Sequence, residues 1–128
     1  MWQPEASFNY PYHANNPAPN NSFGVSLQYN IDGSILLVGA PYAERYINGQ
    51  KVNTDKIGGV YIYERDLPGN LNLISDIYSS VPTDMGEFGM SIGLNAAGNM
   101  AAIASPKSTL NPSLFTNPLT APNVEIFT

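Results

Sequence analysis

Cysteine is absent from these 128 residues, which removes zinc ribbons, disulfide scaffolds and thiol nucleophiles together. Cysteine-free chains occur in virions, in the cytosol and outside the cell, so this does not fix the compartment. Basic residues are scarce. Five Lys and Arg against ten Asp and Glu give a formal charge of −5, which argues against a nucleic-acid binder, because neutralising phosphates needs clustered cations. His13 is the single histidine. It sits in a Pro/Asn-rich loop with no second histidine to complete a metal cluster, and a solvated or locally packed ring is expected rather than a catalytic base. No apolar run reaches the 18 or so residues needed to span a bilayer, and the opening MWQPEASFNY lacks the basic and apolar regions of a signal peptide.

Apolar residues and turn formers are plentiful. With 43% hydrophobic and only 12% charged residues, the chain can bury a modest core and is not an acidic disordered segment. Eleven Gly, eleven Pro and many Asn mark frequent turns, which favours short strands over long helices. The sequon Asn20-Asn21-Ser22 lies in so Asn-rich a stretch that it is read as chance.

One stretch organises the rest. Residues 23–41, FGVSLQYNIDGSILLVGAP, return as residues 88–106, FGMSIGLNAAGNMAAIASP. Phe23 and Phe88, Gly33 and Gly98, and Pro41 and Pro106 each stand 65 positions apart. A constant period of this length marks a repeat architecture, in which each unit needs neighbours to bury its faces. Within the first copy, Phe23, Val25, Leu27 and Tyr29 alternate with Gly24, Ser26 and Gln28, the pattern of a strand with one buried face. Asp32-Gly33 supplies the positive φ of a tight hairpin. Residues 35–38 are continuously apolar, as in a strand covered on both faces. Residues 60–63, VYIY, form the next strand, and residues 124–127, VEIF, are their counterpart at an offset of 64. Residues 2–10 are expected to form an outer strand before the first core, and residues 71–78 an outer strand before the second. The expected fold is therefore all-β: one domain over 1–128, made of two repeats at about 1–66 and 67–128, each a four-stranded antiparallel propeller-type blade.

The pattern F-G-x-S, a D-G turn, an apolar run ending V-G-A-P, and G-G-V-Y-I-Y resembles the FG-GAP repeat. That repeat builds the β-propeller of integrin α-chain heads and of many bacterial and phage surface proteins. In the first copy Phe23, Gly24, Ser26, Asp32, Gly33, Gly39, Ala40 and Pro41 stand in family positions. In the second, Phe88, Gly89, Ser91, Gly98 and Pro106 remain, while Ala97 replaces the turn Asp and Ala104-Ser105 replaces Gly-Ala. The resemblance implies rings of about seven blades, within a general range of four to eight. Two blades cannot close a ring, so either the chain is part of a longer one or copies assemble: three would give six blades and four would give eight. The initiating Met suits a small protein that assembles. A sandwich of the two units alone is the alternative.

Many FG-GAP repeats carry a calcium loop. Here the first turn offers only Asn30 and Asp32, and the second no carboxylate, too few for a cation that takes six to eight oxygens. No metal, cofactor or catalytic residue is therefore expected. Asp84 and Glu87 form a carboxylate pair that could serve acid–base work, but a solvated loop is the plainer reading. Gly58-Gly59 lacks the frame of a phosphate cradle. Tyr61 and Tyr63 are expected as cover between blades. Tyr42, Arg45 and Tyr46, on the polar excursion 42–57, are the candidate interface residues. The expected function is a non-enzymatic structural or binding module of a virion (phage tail, fibre or capsid-associated), with other protein subunits or further copies as partners and neither nucleic acid nor membrane. The alternatives are an adhesion module at the cell surface or outside the cell, and accessory blades beside a catalytic domain.

Overall fold

The computed structural model describes residues 2–11, 20–48, 50–51, 56–108 and 122–128. All regular structure in them is β. Strands β1 (Ser26–Tyr29), β2 (Ile35–Ala40), β5 (Gly59–Leu67) and β6 (Asn70–Ile77) form an antiparallel sheet in that order. Strands β7 (Ser91–Leu94), β8 (Ala101–Ser105) and β9 (Asn123–Phe127) form a second, and the ribbon β3 (Tyr46–Ile47) with β4 (Gln50–Lys51) lies on the excursion between β2 and β5. The repeat is visible in the register. Ser26 pairs with Gly39 and Leu27 with Val38 in the first sheet, as Ser91 pairs with Ala104 and Ile92 with Ile103 in the second.

Several expectations are corrected. Among the described residues the sheets have four, two and three strands, not four and four. The strand read at residues 71–78 as opening the second unit is β6, the outer strand of the first sheet, paired with β5. Its connection explains this. Leu67 pairs with Asn70 across Pro68-Gly69, and Gly69 takes φ 81°, so a two-residue loop returns the chain beside the strand it has just left. Residues 2–10 form no strand. They strap the face of the first sheet: the Phe8 ring lies 4.7 Å from Tyr63 and the Tyr10 ring 5.5 Å from Tyr61. The Glu5 carboxylate accepts from the Gly69 amide at 2.6 Å and pairs with Arg65 at 2.8 Å, which pins the strap to the β5–β6 hairpin. Tyr61 and Tyr63 are thus buried under the strap rather than between the sheets, and burial pushes the Tyr61 phenol pKa far up.

The alternation of β2 and β5 divides the first sheet into two apolar faces. Leu36, Val38, Ala40, Tyr61 and Tyr63 meet the strap and Phe23. Leu37 and Val60, with Ile35 and Ile62, meet Phe88, Ala101 and Ile103 of the second unit. By the repeat, Ala101 and Ile103 correspond to Leu36 and Val38, and Phe88 to Phe23. The two units therefore bury opposite faces against each other. This is head-to-tail docking, not the like-to-like contact of a symmetric sandwich.

The closest approach is at one corner. Ser26 Oγ donates to the Gly89 carbonyl at 2.6 Å, and Gly58 forms a parallel bridge with Phe88. A Cβ on Gly39 would lie 2.1 Å from the Gly89 oxygen, and one on Gly58 would lie 2.3 Å from the Phe88 oxygen. Glycine is required at both because backbone occupies the space of a side chain. Gly39→Ala is therefore expected to cost about 1–3 kcal/mol in urea unfolding. Gly93→Ala, whose Cβ would meet only the Ala102 methyl at 4.0 Å, is expected to be near neutral. Equal effects of the two would show that the corner is not tightly packed.

Candidate functional site

Two Phe-Gly corners stand in the chain with the same backbone. Ser22, Gly24, Glu87 and Gly89 have φ of 57°, 92°, 64° and 94°, so each corner is a positive-φ residue, a Phe and a positive-φ glycine. Their local hydrogen bonds also match. Gly24 N donates to Gly39 O and Val25 N to Ser22 O, as Gly89 N donates to Ala104 O and Met90 N to Glu87 O. Their surroundings differ. A Cβ on Gly89 would meet the Gly59 carbonyl at 2.8 Å and Val60 Cγ2 at 3.1 Å, whereas one on Gly24 would meet nothing within 4 Å. Phe88 is fully buried, Phe23 half-buried and Gly24 exposed. One corner is docked on the other sheet, whereas at the other the Phe23 ring packs on Phe8 and Tyr10 of the strap and Gly24 stays open.

The faces follow the same rule. Beside the first corner, Leu27 and Tyr29 are 60% and 48% exposed, while their counterparts Ile92 and Leu94 pack against the core between the sheets. On the far side of the second sheet Ala102 pairs with Ile126 and Ala104 with Val124. Val124 and Ile126 are 62% and 60% exposed, although they correspond to Val60 and Ile62, which the second unit covers. The repeat-motif residues thus serve the turns and the docking. Asp32 Oδ1 accepts from the Ser34 amide at 2.9 Å and Asn30 Oδ1 from the Ile35 amide at 2.9 Å. The bonds from Ser34 hold the Asp32 carboxyl below its ordinary value. These oxygens close a hairpin, and among the described residues no group of three or more His, Cys, Asp or Glu could hold a metal ion. His13 lies outside the described residues. No helix among them is long and apolar enough to cross a membrane.

The three candidate interface residues make contacts within the chain. Tyr46 is 7% exposed, and its hydroxyl donates to Glu44 Oε2 at 3.3 Å. The Arg45 guanidinium lies 4.9 Å over the Tyr78 ring. The Tyr42 hydroxyl donates to Glu87 Oε1 at 2.6 Å, and Lys107 pairs with the same oxygen at 2.9 Å. Glu87, with its side chain 5% exposed, is the residue that sequence reasoning placed in a solvated pair with Asp84. Asp84 instead accepts from the Lys56 amide, so the two carboxylates have separate partners. Glu87 has no motif of its own. The signal that could have found it is its position just before the second Phe-Gly, where Ser22 stands before the first.

A second carboxylate, Glu125, ties β9 to the connection before β7. It accepts from Ser79 Oγ at 2.5 Å, from the Ser80 amide at 3.0 Å and from the Ser80 hydroxyl. Burial raises its pKa, but these hydrogen bonds together outweigh burial and lower it.

No protein-family model matches the chain, and no curated protein matches it either.

The Tyr42–Glu87–Lys107 tie has a pH signature. The hydrogen bond from Tyr42, then the one from Lys107, lowers the Glu87 pKa below its ordinary 4.5. A lowered carboxylate stabilises the fold above the unfolded value, and that contribution is lost as pH falls through the folded one. Tyr42→Phe is therefore expected to lower the urea midpoint at neutral pH, with the gap to the unsubstituted chain narrowing below pH 4.5. A gap that stays constant across that range would contradict the tie.

Proposed function

We propose that this chain is a non-enzymatic assembly module: two repeats of the FG-GAP type that act by docking apolar sheet faces on other protein subunits. Its composition, free of cysteine and low in charge with Asn/Pro/Gly-rich connections, leads us to place it among virion components such as tail, fibre or capsid-associated proteins. The observation that carries the reading is the pair of open faces at opposite ends of the docked units, Leu27 with Tyr29 and Val124 with Ile126. The face corresponding to each is buried inside the chain. Apolar sheet faces of this kind mark interaction sites. The carboxylates at hand are used in structure: Asp32 closes a turn, Glu87 joins the units and Glu125 holds a connection.

The test is made on the chain in its native source. Extracts sized without denaturant and probed with an antibody are expected to show it in a stable complex well above its own 13.8 kDa. Val124→Asp with Ile126→Asp is expected to release it, while unfolding shifts by no more than about 0.5 kcal/mol, as for other exposed positions. A native chain that runs free at 13.8 kDa would contradict the assembly reading.

A further inference from the structure

The contact between the two units has a donor side and a receiver side. The second unit donates Phe88, Ala101 and Ile103, and the first unit receives them on Leu37 and Val60. By the repeat, each unit carries both sides. The receiver side of the second unit is the outer face of β7, β8 and β9, where Val124 and Ile126 are exposed. The donor side of the first unit is Phe23, Leu36 and Val38, which stand 65 positions before Phe88, Ala101 and Ile103. Among the described residues it meets the strap rather than a receiver side. Tyr10 is buried in one cluster with Leu36 and Val38, and the Phe8 ring lies 6.2 Å from Phe23 and 4.7 Å from Tyr63.

What holds the strap differs from what holds the sheet beneath it. Among the described residues, 2–10 make no backbone-to-backbone hydrogen bond. Side chains hold them instead. The Glu5 carboxylate binds the Gly69 amide and Arg65, the Phe8 and Tyr10 rings pack on the sheet, and the Tyr10 hydroxyl donates to the Glu44 carbonyl at 3.2 Å. The surface underneath is laddered throughout: β2 pairs with β1 on one side and β5 on the other, and β5 pairs with β6. A segment without backbone pairing opens at a lower free energy than a paired strand does, so the strap can lift from a face that keeps its shape.

We propose that residues 5–10 are a detachable cap, which stands on the first unit's donor side in place of a preceding unit and withholds that side from docking. A terminal unit of a repeat needs cover over the apolar surface that a neighbour would otherwise bury. Here the cover is a short chain segment with Glu5 as its clasp and the Phe8 and Tyr10 rings as its plug. The purpose of the cap rests on the assembly reading, but its opening is a property of one chain and needs no partner.

The experiment uses the purified full chain, with a naphthalene-sulfonate dye to report exposed apolar surface and circular dichroism in urea to report folding. Phe8→Ser combined with Tyr10→Ser removes the plug. This variant is expected to unfold cooperatively still, and to bind dye well above the level of the unsubstituted chain. A synthetic peptide of residues 2–11 should displace that added dye, and the same peptide carrying Phe8→Ala should need at least tenfold more to do so. Glu5→Ala, at an exposed position, opens only the clasp and is expected to raise dye binding about fivefold with folding intact. Loss of cooperative unfolding in the Phe8/Tyr10 variant would make the strap part of the core and overturn the proposal. So would a folded variant that binds no added dye, dye that the peptide leaves in place, or a Glu5→Ala chain indistinguishable from the original. Each readout is taken on single chains, so such a failure leaves the assembly reading to its own test in native extracts.

Discussion

The fold depends on a backbone-to-backbone approach at one corner. The carbonyl of Gly89 sits where a side chain at position 39 would be, held by the Ser26 hydroxyl at 2.6 Å. Glycine allows this contact at a conformational cost that the apolar surface beneath must offset. That surface is Leu37 and Val60 from one sheet against Phe88, Ala101 and Ile103 from the other. The Tyr42–Glu87–Lys107 tie then locks the residue before the corner. Neither sheet has its full apolar surface covered without the contact, as expected for units of a repeat.

The polarity of that contact decides what each end of the docked units presents. A like-to-like sandwich would consume the apolar face of each unit and end there. Docking that is head-to-tail leaves a donor side at one end and a receiver side at the other. The protein treats the two differently. The donor side is partly covered by the strap, through Phe8 and Tyr10. The receiver side carries Ala102, Ala104 and Pro122 where the first unit has Leu37, Gly39 and Gly58.

Strands and turns were legible in the sequence because both carry local signals. Period-2 alternation marked β1 and β5, the apolar run marked β2, and the constant offset transferred these to β7, β8 and β9. Sheet membership was less legible. The strand β6 alternates equally well whether it pairs backward or forward, and only the brevity of the Pro68-Gly69 connection decides for β5. The strap was misread because Phe8 and Tyr10 have the spacing of a strand face, although they meet the sheet through their rings, with no strand pairing by residues 2–10. Tyr42, Arg45 and Tyr46 were grouped by their place on a polar excursion. Their contacts with Glu87, Tyr78 and Glu44 depend on distant or folded-back partners that spacing does not reveal. The motif glycines were legible as a pattern, but their purpose became visible only when Gly39 and Gly58 were found facing the second corner.

The central claim is that docking, beyond the local turn, holds the Phe-Gly corner in place. Amide hydrogen exchange in dilute solution tests it directly, because the two corners are internal controls for each other. Gly24 and Val25 make the same backbone hydrogen bonds as Gly89 and Met90, so any difference in protection comes from what covers them. The account predicts that Gly89 and Met90 exchange at least tenfold more slowly than Gly24 and Val25, roughly the effect of 1.4 kcal/mol of added protection. Equal protection at the two corners would contradict it, since the turn alone would then account for the order and the docked carbonyl would add nothing.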